Sequence, residues 1–232
     1  MRRDAMRVNL LDVRPRFAYP DLDHHHLEAL LTGLKALRAL PDDIALARDL
    51  ARTSARHQSS LLRHADHLAG RTRPSLDDLQ DAPADLNMIA KRVLGACAEF
   101  RTRTARSGVC GNYRMLYPDP EHLPELMDQW RALTLAAAPH PLAWAMMRYL
   151  ALVLIHPYRD GNGRMARAVL EIDLSQITGG AIAPLTLSPF IHNDIHGLAE
   201  AVVNAHRLNT NQPLFSWLAR LFQSRLAYRP RP

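Results

Sequence analysis

The sequence predicts an all-α protein that carries one small β-hairpin. Ala, Leu and Arg are abundant, and only ten glycines occur in 232 residues, a balance that favours helices. Apolar residues recur at helical spacing through most of the chain, which is long enough to bury a full core. Only residues 108–118 combine two glycines and an asparagine with β-favouring side chains, as a hairpin does.

The N-terminal part is predicted to be helical after an extended arm. Residues 1–20 hold prolines and aromatic residues without clear periodicity, so we expect an arm there. Apolar spacing then predicts helices over 26–40 and 44–67, the second interrupted near Ser59-Ser60. Residues 70–83 are polar and proline-marked and are predicted to be a connection. We assign residues 1–85 to a helical extension that packs on a core formed by residues 86–228.

Helices are predicted on both sides of the hairpin in that core. Apolar residues at helical spacing predict a helix over residues 86–103. Prolines mark the first turns of several later helices, and Gly179-Gly180 marks the end of one. The later predicted helices cover residues 120–135, 141–155, 164–178, a short segment from Ser188, 194–207 and 213–228.

Hydrophobic runs, cysteine content and net charge narrow the expected cellular location and partners. No apolar run reaches the roughly 18 residues that span a bilayer, and the basic N-terminus has no hydrophobic stretch typical of a cleavable signal. Cys97 and Cys110 are not spaced as a disulfide staple, so we expect a reducing cytoplasm, the protein's own or that of a host it is secreted into. The net charge of +6 comes from scattered arginines, and a solvated basic surface accounts for it without a nucleic acid or membrane partner.

One short loop, IHPYRDGNGRMAR at residues 155–167, carries the chemistry. Gly161-Asn162-Gly163 at a helix start can direct several backbone N–H groups at one anion, aided by the positive end of the helix dipole. Arg164 and Arg167 lie three residues apart and can reach neighbouring phosphates. Asp160 is a hard oxygen ligand suited to Mg²⁺. His156 is the side chain best able to accept a hydroxyl proton near pH 7.

Each of these residues also has a common structural role as a helix cap, a turn former or a solvated charge. Those roles do not explain why a base, a carboxylate, an anion site and two arginines follow one another in this order. The loop therefore predicts a site for a nucleoside triphosphate.

The same order resembles the core motif of the Fic (Fido) family, H-x-F-x-[DE]-G-N-G-R-x-x-R. Every polar position matches, and Tyr158 stands where the family usually has an inward-packing phenylalanine. The resemblance extends over roughly residues 86–225, since residues 111–114 resemble the family's flap hairpin and residues 185–191 its post-motif segment. It implies a Fic-fold helical bundle with the flap before the motif helix.

The resemblance implies a protein adenylyltransferase, which moves AMP from ATP to a Ser, Thr or Tyr hydroxyl of a target protein and releases pyrophosphate. His156 would be the base and Asp160 would hold Mg²⁺. Arg164 would contact the β-phosphate and Arg167 the γ-phosphate. The α-phosphate would be bound by the backbone of Gly161 and Gly163 and the side chain of Asn162.

The flap hairpin would hold the target protein by strand addition, which presents a hydroxyl with little demand on sequence. The candidate docking residues are Asn112, Tyr113, Arg114, Met115 and Leu116. A purely structural hairpin is the alternative for each of them.

Many Fic proteins are restrained by a helix bearing [S/T]-x-x-x-E-[G/N], whose glutamate pairs with the second motif arginine. No glutamate in this chain has Ser or Thr four residues earlier, and the nearest segment, Ser54 to Ser59, has Gln58 at the glutamate position. A neutral amide cannot form the ion pair with Arg167. We therefore expect weak or no restraint in cis, with a separate small antitoxin as the possible source of the acid.

Three alternatives stay open at this stage. Relatives with this scaffold transfer UMP, phosphate or phosphocholine, although the complete motif favours AMP. Fic domains also occur beside DNA-binding domains, but the sequence shows no convincing helix-turn-helix. The third alternative, a catalytically silent interaction domain, is disfavoured by the intact His156.

Overall fold

The computed structural model describes residues 9–37, 43–53, 58–69, 86–110, 113–180 and 185–229. This part of the chain is mostly helical and carries one small sheet, which confirms the predicted all-α class. Within these ranges no helix is both long and apolar enough to cross a bilayer. The α-helices of the described residues are α1 (His24–Lys35), α2 (Asp43–Thr53), α3 (Gln58–Ala69), α4 (Leu86–Leu94), α5 (Leu123–Arg131), α6 (Pro141–Ile155), α7 (Asn162–Thr178), α8 (Leu187–Asn193), α9 (Ile195–Leu208) and α10 (Gln212–Ala227).

Helix α6 lies at the centre of the hydrophobic core. Twelve of its fifteen residues are buried, as expected for a helix that is apolar on all sides. It begins at Pro141, and the His140 side chain caps it by accepting the Leu142 N–H at 3.1 Å. Because α6 is held on all sides, the residue that follows its last turn is attached to a rigid support.

Helix α7 packs along α6, and a buried ion pair joins them. Arg148 Nε donates to Asp173 Oδ2 at 2.7 Å, and the Arg148 guanidinium lies 4.0 Å from the centre of the Trp130 ring. Burial raises the pKa of Asp173 to about 6, while the charge and hydrogen bond of Arg148 oppose the shift. The pair thus holds together the two helices that flank the loop between them.

The N-terminal helices pack on the rest of the molecule. Helices α2 and α3 contact each other and α8, and α1 contacts α6 and α10. Leucines of α1 belong to the same hydrophobic core as α6. The predicted connection at 70–83 lies outside the described residues, and the domain boundary at 85/86 stays a prediction.

The sheet has three strands, β1 (Asn9–Asp12), β2 (Arg106–Cys110) and β3 (Tyr113–Leu116), in the order β1-β3-β2. The antiparallel pair β2-β3 confirms the predicted hairpin, and its turn residues lie outside the described residues. Strand β1 was not predicted, because only an extended arm was expected there. It runs parallel to β3, from Asn9 opposite Tyr113 to Asp12 opposite Leu116.

The prediction of a helix over 86–103 is wrong beyond Leu94. Helix α4 ends there, and a 3-10 turn follows at Gly95–Cys97, where Gly95 adopts the left-handed φ of 57°. The chain then turns so that Phe100 forms an antiparallel bridge with Tyr158. This path brings the residues after α4 against the loop that joins α6 to α7. The segment 120–135 is also shorter than predicted as a helix, since a 3-10 turn at Pro120–His122 precedes α5.

Candidate active site

The loop begins with a residue in a conformation that needs support. His156 follows the last residue of α6 and has φ 53° and ψ 55°, in the left-handed region. Its N–H donates to the Leu152 carbonyl at 3.1 Å. A left-handed non-glycine residue costs about 1–2 kcal/mol, so it persists only where its surroundings hold it.

Arg101 supplies that support from the segment after α4. Its side chain is 4% exposed, and its Nε donates to the His156 carbonyl at 2.8 Å. Nη2 donates to the carbonyls of Ile155, at 3.4 Å, and of Pro118. The Arg101 backbone N–H donates to the Pro157 carbonyl at 2.9 Å. The start of the loop is therefore tied to the chain on either side of the hairpin.

The His156 ring is packed and neutral. The Tyr117 ring, directly after β3, stacks on it with 3.9 Å between centroids and 16° between planes. Burial lowers the pKa of His156 to about 4; the Val153 carbonyl and Asp160 oppose the shift, and the Arg101 charge adds to it. At pH 7 the ring is thus an uncharged imidazole, the form that accepts a proton.

Asn162 closes the loop from inside. Its Oδ1 accepts the Tyr158 N–H and its Nδ2 donates to the Tyr158 carbonyl, each at 2.8 Å, and the side chain is buried. Both groups of the amide are engaged by Tyr158 here, so Asn162 shapes the loop, and its contact with an α-phosphate stays a prediction. Tyr158 packs inward at 1% exposure, and its hydroxyl has no hydrogen-bond partner among the described residues.

Gly161 lets the loop approach its neighbours closely. Its φ is 79°, and a Cβ added there would lie 2.5 Å from Leu94 Cδ2 and 2.7 Å from Arg164 Nη2. Its carbonyl accepts the Met165 N–H at 2.9 Å, which starts α7. The first-turn N–H groups of a helix have no acceptor within the helix, so this end of α7 suits an anion.

Asp160 and Arg164 lie beside this helix end. The Asp160 side chain is 65% exposed; its Oδ1 accepts the Gly161 N–H at 2.7 Å, and its Oδ2 lies 3.6 Å from Arg164 Nη2. Arg164 Nη1 donates to the Val93 carbonyl at 3.2 Å, at the end of α4. An exposed carboxylate next to a phosphate-suited helix end fits Mg²⁺, which proteins usually bind through one or two carboxylates together with substrate phosphates.

Arg167 lies one turn further along α7. It is half-buried, and its Nη1 would lie 3.3 Å from a Cβ added at Gly163. Its charge also reaches Tyr149 in α6, where it opposes the burial that raises the pKa of that hydroxyl to about 12. The structure thus brings all six predicted phosphate and metal residues onto one loop and the first turns of α7, next to His156.

Comparison with known proteins agrees with this geometry. The model of the Fic/DOC family matches residues 57–174, just over half of the chain. The chain belongs to the Fic/DOC family. A protein adenylyltransferase Fic from Nematostella vectensis is 34% identical over 90 residues, which are 38% of this chain and 21% of that protein. This Fic/DOC chain therefore spans about a fifth of that relative's length.

Solved structures show the same fold. A Fic family protein from Desulfovibrio desulfuricans superposes with a TM-score of 0.56 and 16% identity, covering 88% of this chain and 58% of its own. A Fic domain containing signaling protein from Bacteroides thetaiotaomicron gives a TM-score of 0.51 and 18% identity, covering 87% of this chain and 94% of its own. The predicted Fic-fold bundle is confirmed.

The predicted docking residues and the predicted inhibitory segment of this Fic/DOC chain lie only partly within the described residues. Of the proposed docking residues, Asn112 lies outside the described residues, and Tyr113 to Leu116 form β3, which is paired on both edges. In the segment Ser54 to Ser59, residues 54–57 also lie outside them, and Gln58 is the first residue of α3. The weak cis restraint stays a prediction.

Proposed function

We propose that this Fic/DOC chain transfers AMP from ATP to a Ser, Thr or Tyr hydroxyl of a protein and releases pyrophosphate. The observation that carries the proposal is the placement of His156, whose ring is stacked by Tyr117, in the same short loop as Asp160 and just before Arg164 and Arg167 in the first turns of α7. The relative from Nematostella vectensis, which is named an adenylyltransferase, supports the same reaction.

The proposed roles are those that the resemblance to the Fic family implies for the residues of this loop. The target hydroxyl oxygen bonds to the α-phosphorus, the bond to the β-phosphate oxygen breaks, and His156 takes the hydroxyl proton. The N–H of Gly163, in the first turn of α7, binds the α-phosphate, and the Gly161 N–H joins it on leaving Asp160 Oδ1, to which it donates here. Arg164 binds the β-phosphate and Arg167 the γ-phosphate. Asp160 would hold Mg²⁺, which when bound would supply positive charge to the departing pyrophosphate. Such transfers need mainly positioning and charge neutralisation.

The reaction is tested by incubating the purified chain with Mg²⁺, a lysate as a source of target proteins, and ATP labelled on either the α- or the γ-phosphate. We expect label above that of the lysate alone from α-labelled ATP only, with an added AMP found by mass spectrometry on Ser, Thr or Tyr. An increase of label from γ-labelled ATP on addition of the chain would instead show phosphate transfer. Stronger labelling from α-labelled UTP would show UMP transfer, and no labelling from any of them would refute the proposal.

Docking of the target also belongs to the proposal. Strand β3 leads directly into Tyr117, whose ring stacks on His156, so a segment added along β3 ends beside the base. The edge of β3 opposite β2, where a target strand would add, is occupied by β1. Just after β1, the Val13 N–H donates to the Leu116 carbonyl at 2.8 Å. β1 is held lightly, since Leu11 is its one buried residue and Leu10 is 58% exposed. A target strand would therefore add to β3 in exchange for β1.

A reversible lock on β1 tests this exchange. Leu10 and Arg114 are opposite each other in the ladder, so cysteines at both positions can form a disulfide, with Cys97 and Cys110 changed to serine. We expect the oxidised protein to lose protein labelling by at least about tenfold and to keep ATP binding, and a reductant to restore labelling. The reduced form of the same variant is the control. Equal labelling in both redox states would show that targets do not exchange with β1.

A further inference from the structure

Arg101 makes an unusual set of contacts for a buried arginine. The acceptors of its side-chain hydrogen bonds are all backbone carbonyls: His156 at 2.8 Å, Arg103 at 3.0 Å, Ile155 at 3.4 Å, and Pro118. Burial lowers the pKa of the guanidinium, and Asp119 opposes that shift. A buried cation costs free energy unless its donors are satisfied, and here carbonyl oxygens satisfy them.

Three of these four carbonyls belong to the backbone that carries His156 or its stacking partner. Ile155 is the last residue of α6 and His156 is its C-cap, where the carbonyls lack intrahelical donors. Pro118 directly follows Tyr117, the residue that stacks on the imidazole. One planar guanidinium thus fixes both the backbone that carries the ring and the backbone that carries its stacking partner.

We propose that Arg101 is a positioning residue for the transfer reaction. It holds His156 in its left-handed conformation beneath Tyr117, so that the imidazole faces the phosphate-binding residues 161–167. This inference rests on the proposed function of His156. Arg101 does not touch the phosphate-binding residues 161–167 in any hydrogen bond of the described residues, so its effect should fall on the chemical step rather than on nucleotide binding.

The charge of Arg101 adds a second effect that a structural contact alone would not produce. Among the described residues, Tyr117 is stacked on the His156 ring, and the charges of Arg101 and Asp160 act on it. Arg101 favours the neutral ring and Asp160 the charged one. Removing the cation should therefore make His156 easier to protonate and move the acid limb of the rate profile to higher pH.

The test compares Arg101→Met and Arg101→Lys with Arg220→Met, which removes an exposed arginine from α10. We expect Arg101→Met to lower kcat for AMP transfer about 10- to 100-fold while the KM for ATP stays within about twofold, because a small misplacement of a base costs rate and not nucleotide affinity. Arg101→Lys keeps the charge but not the planar fork, so it should keep the acid limb and recover only part of kcat. Arg220→Met should match the unchanged protein.

Thermal melting shows which variants are folded. If Arg101→Met does not fold, the comparison is made between Arg101→Lys and the unchanged protein. A folded variant with unchanged kcat, or with a raised KM and unchanged kcat, would overturn the proposal. A kcat loss in Arg101→Met without movement of the acid limb would overturn the electrostatic part. The His156 ring titration, followed by NMR in the unchanged protein and in Arg101→Met, needs no catalysis. It therefore separates a failure of this inference from a failure of the proposed reaction.

Discussion

Replacement of His156 with alanine is expected to lower AMP transfer by about 10²- to 10⁴-fold, the range typical of a lost general base. His156 is half-buried, and its ring is neutral at pH 7 and stacked in place by Tyr117, so it is ready to accept a hydroxyl proton. The phosphate-binding groups are untouched by this change. ATP affinity, measured by calorimetry on His156→Ala, should therefore stay close to that of the unchanged protein, and labelling that persists in the variant would remove His156 as the base.

The pH dependence of the rate and of the stability provides a second test of the role of His156. Since the pKa of His156 in the free protein is lowered from 6.5 to about 4, kcat/KM should not halve near pH 6.5 and should decline only as pH approaches 4. The unfolded chain takes up a proton on this residue below pH 6.5 and the folded chain does not. Stability is therefore lost as pH falls from 6.5 to 4, and His156→Ala should lose less over that window. Equal losses in the two proteins would show that the ring is not held neutral.

The loop at residues 155–167 could be predicted from the sequence because the residues that carry its chemistry are neighbours in the chain. Its residues are consecutive, and the start of one helix places them side by side, so order alone carries the geometry. The support for that loop comes from far along the chain. Arg101 lies 55 residues before His156, in a segment whose apolar spacing is that of a helix.

Strand β1 could not be predicted for a related reason. A strand of four residues with a single buried side chain shows no alternation to detect, and its partner is about a hundred residues away. The turn at Gly95 was the one local signal that α4 ends early, because glycine favours the left-handed conformation adopted there. Local patterns thus predicted the chemistry and the helices, while the long-range contacts that position the base required the structure.

Substitution of Gly161 with alanine is expected to lower both stability and nucleotide binding. The new residue would keep a φ of 79°, which costs about 1–2 kcal/mol outside glycine. Its Cβ would also meet Leu94 Cδ2 at 2.5 Å and Arg164 Nη2 at 2.7 Å, and overpacking of this kind costs about 1–3 kcal/mol. Because the Arg164 side chain can move more easily than Leu94, the collision should push it away from the β-phosphate position. We expect the KM for ATP to rise at least about tenfold.

Gly179→Ala provides the control that separates the two costs. Gly179 has a similar φ of 69° at the far end of α7, and a Cβ there would meet nothing within 4 Å. It should therefore show the backbone cost in thermal melting without a change in ATP binding. The extra loss of stability in Gly161→Ala then measures the collision, and the rise in KM measures what that collision does to Arg164. If both variants bound ATP equally well, the added Cβ would not displace Arg164 from ATP, and the prediction for Gly161→Ala would be wrong.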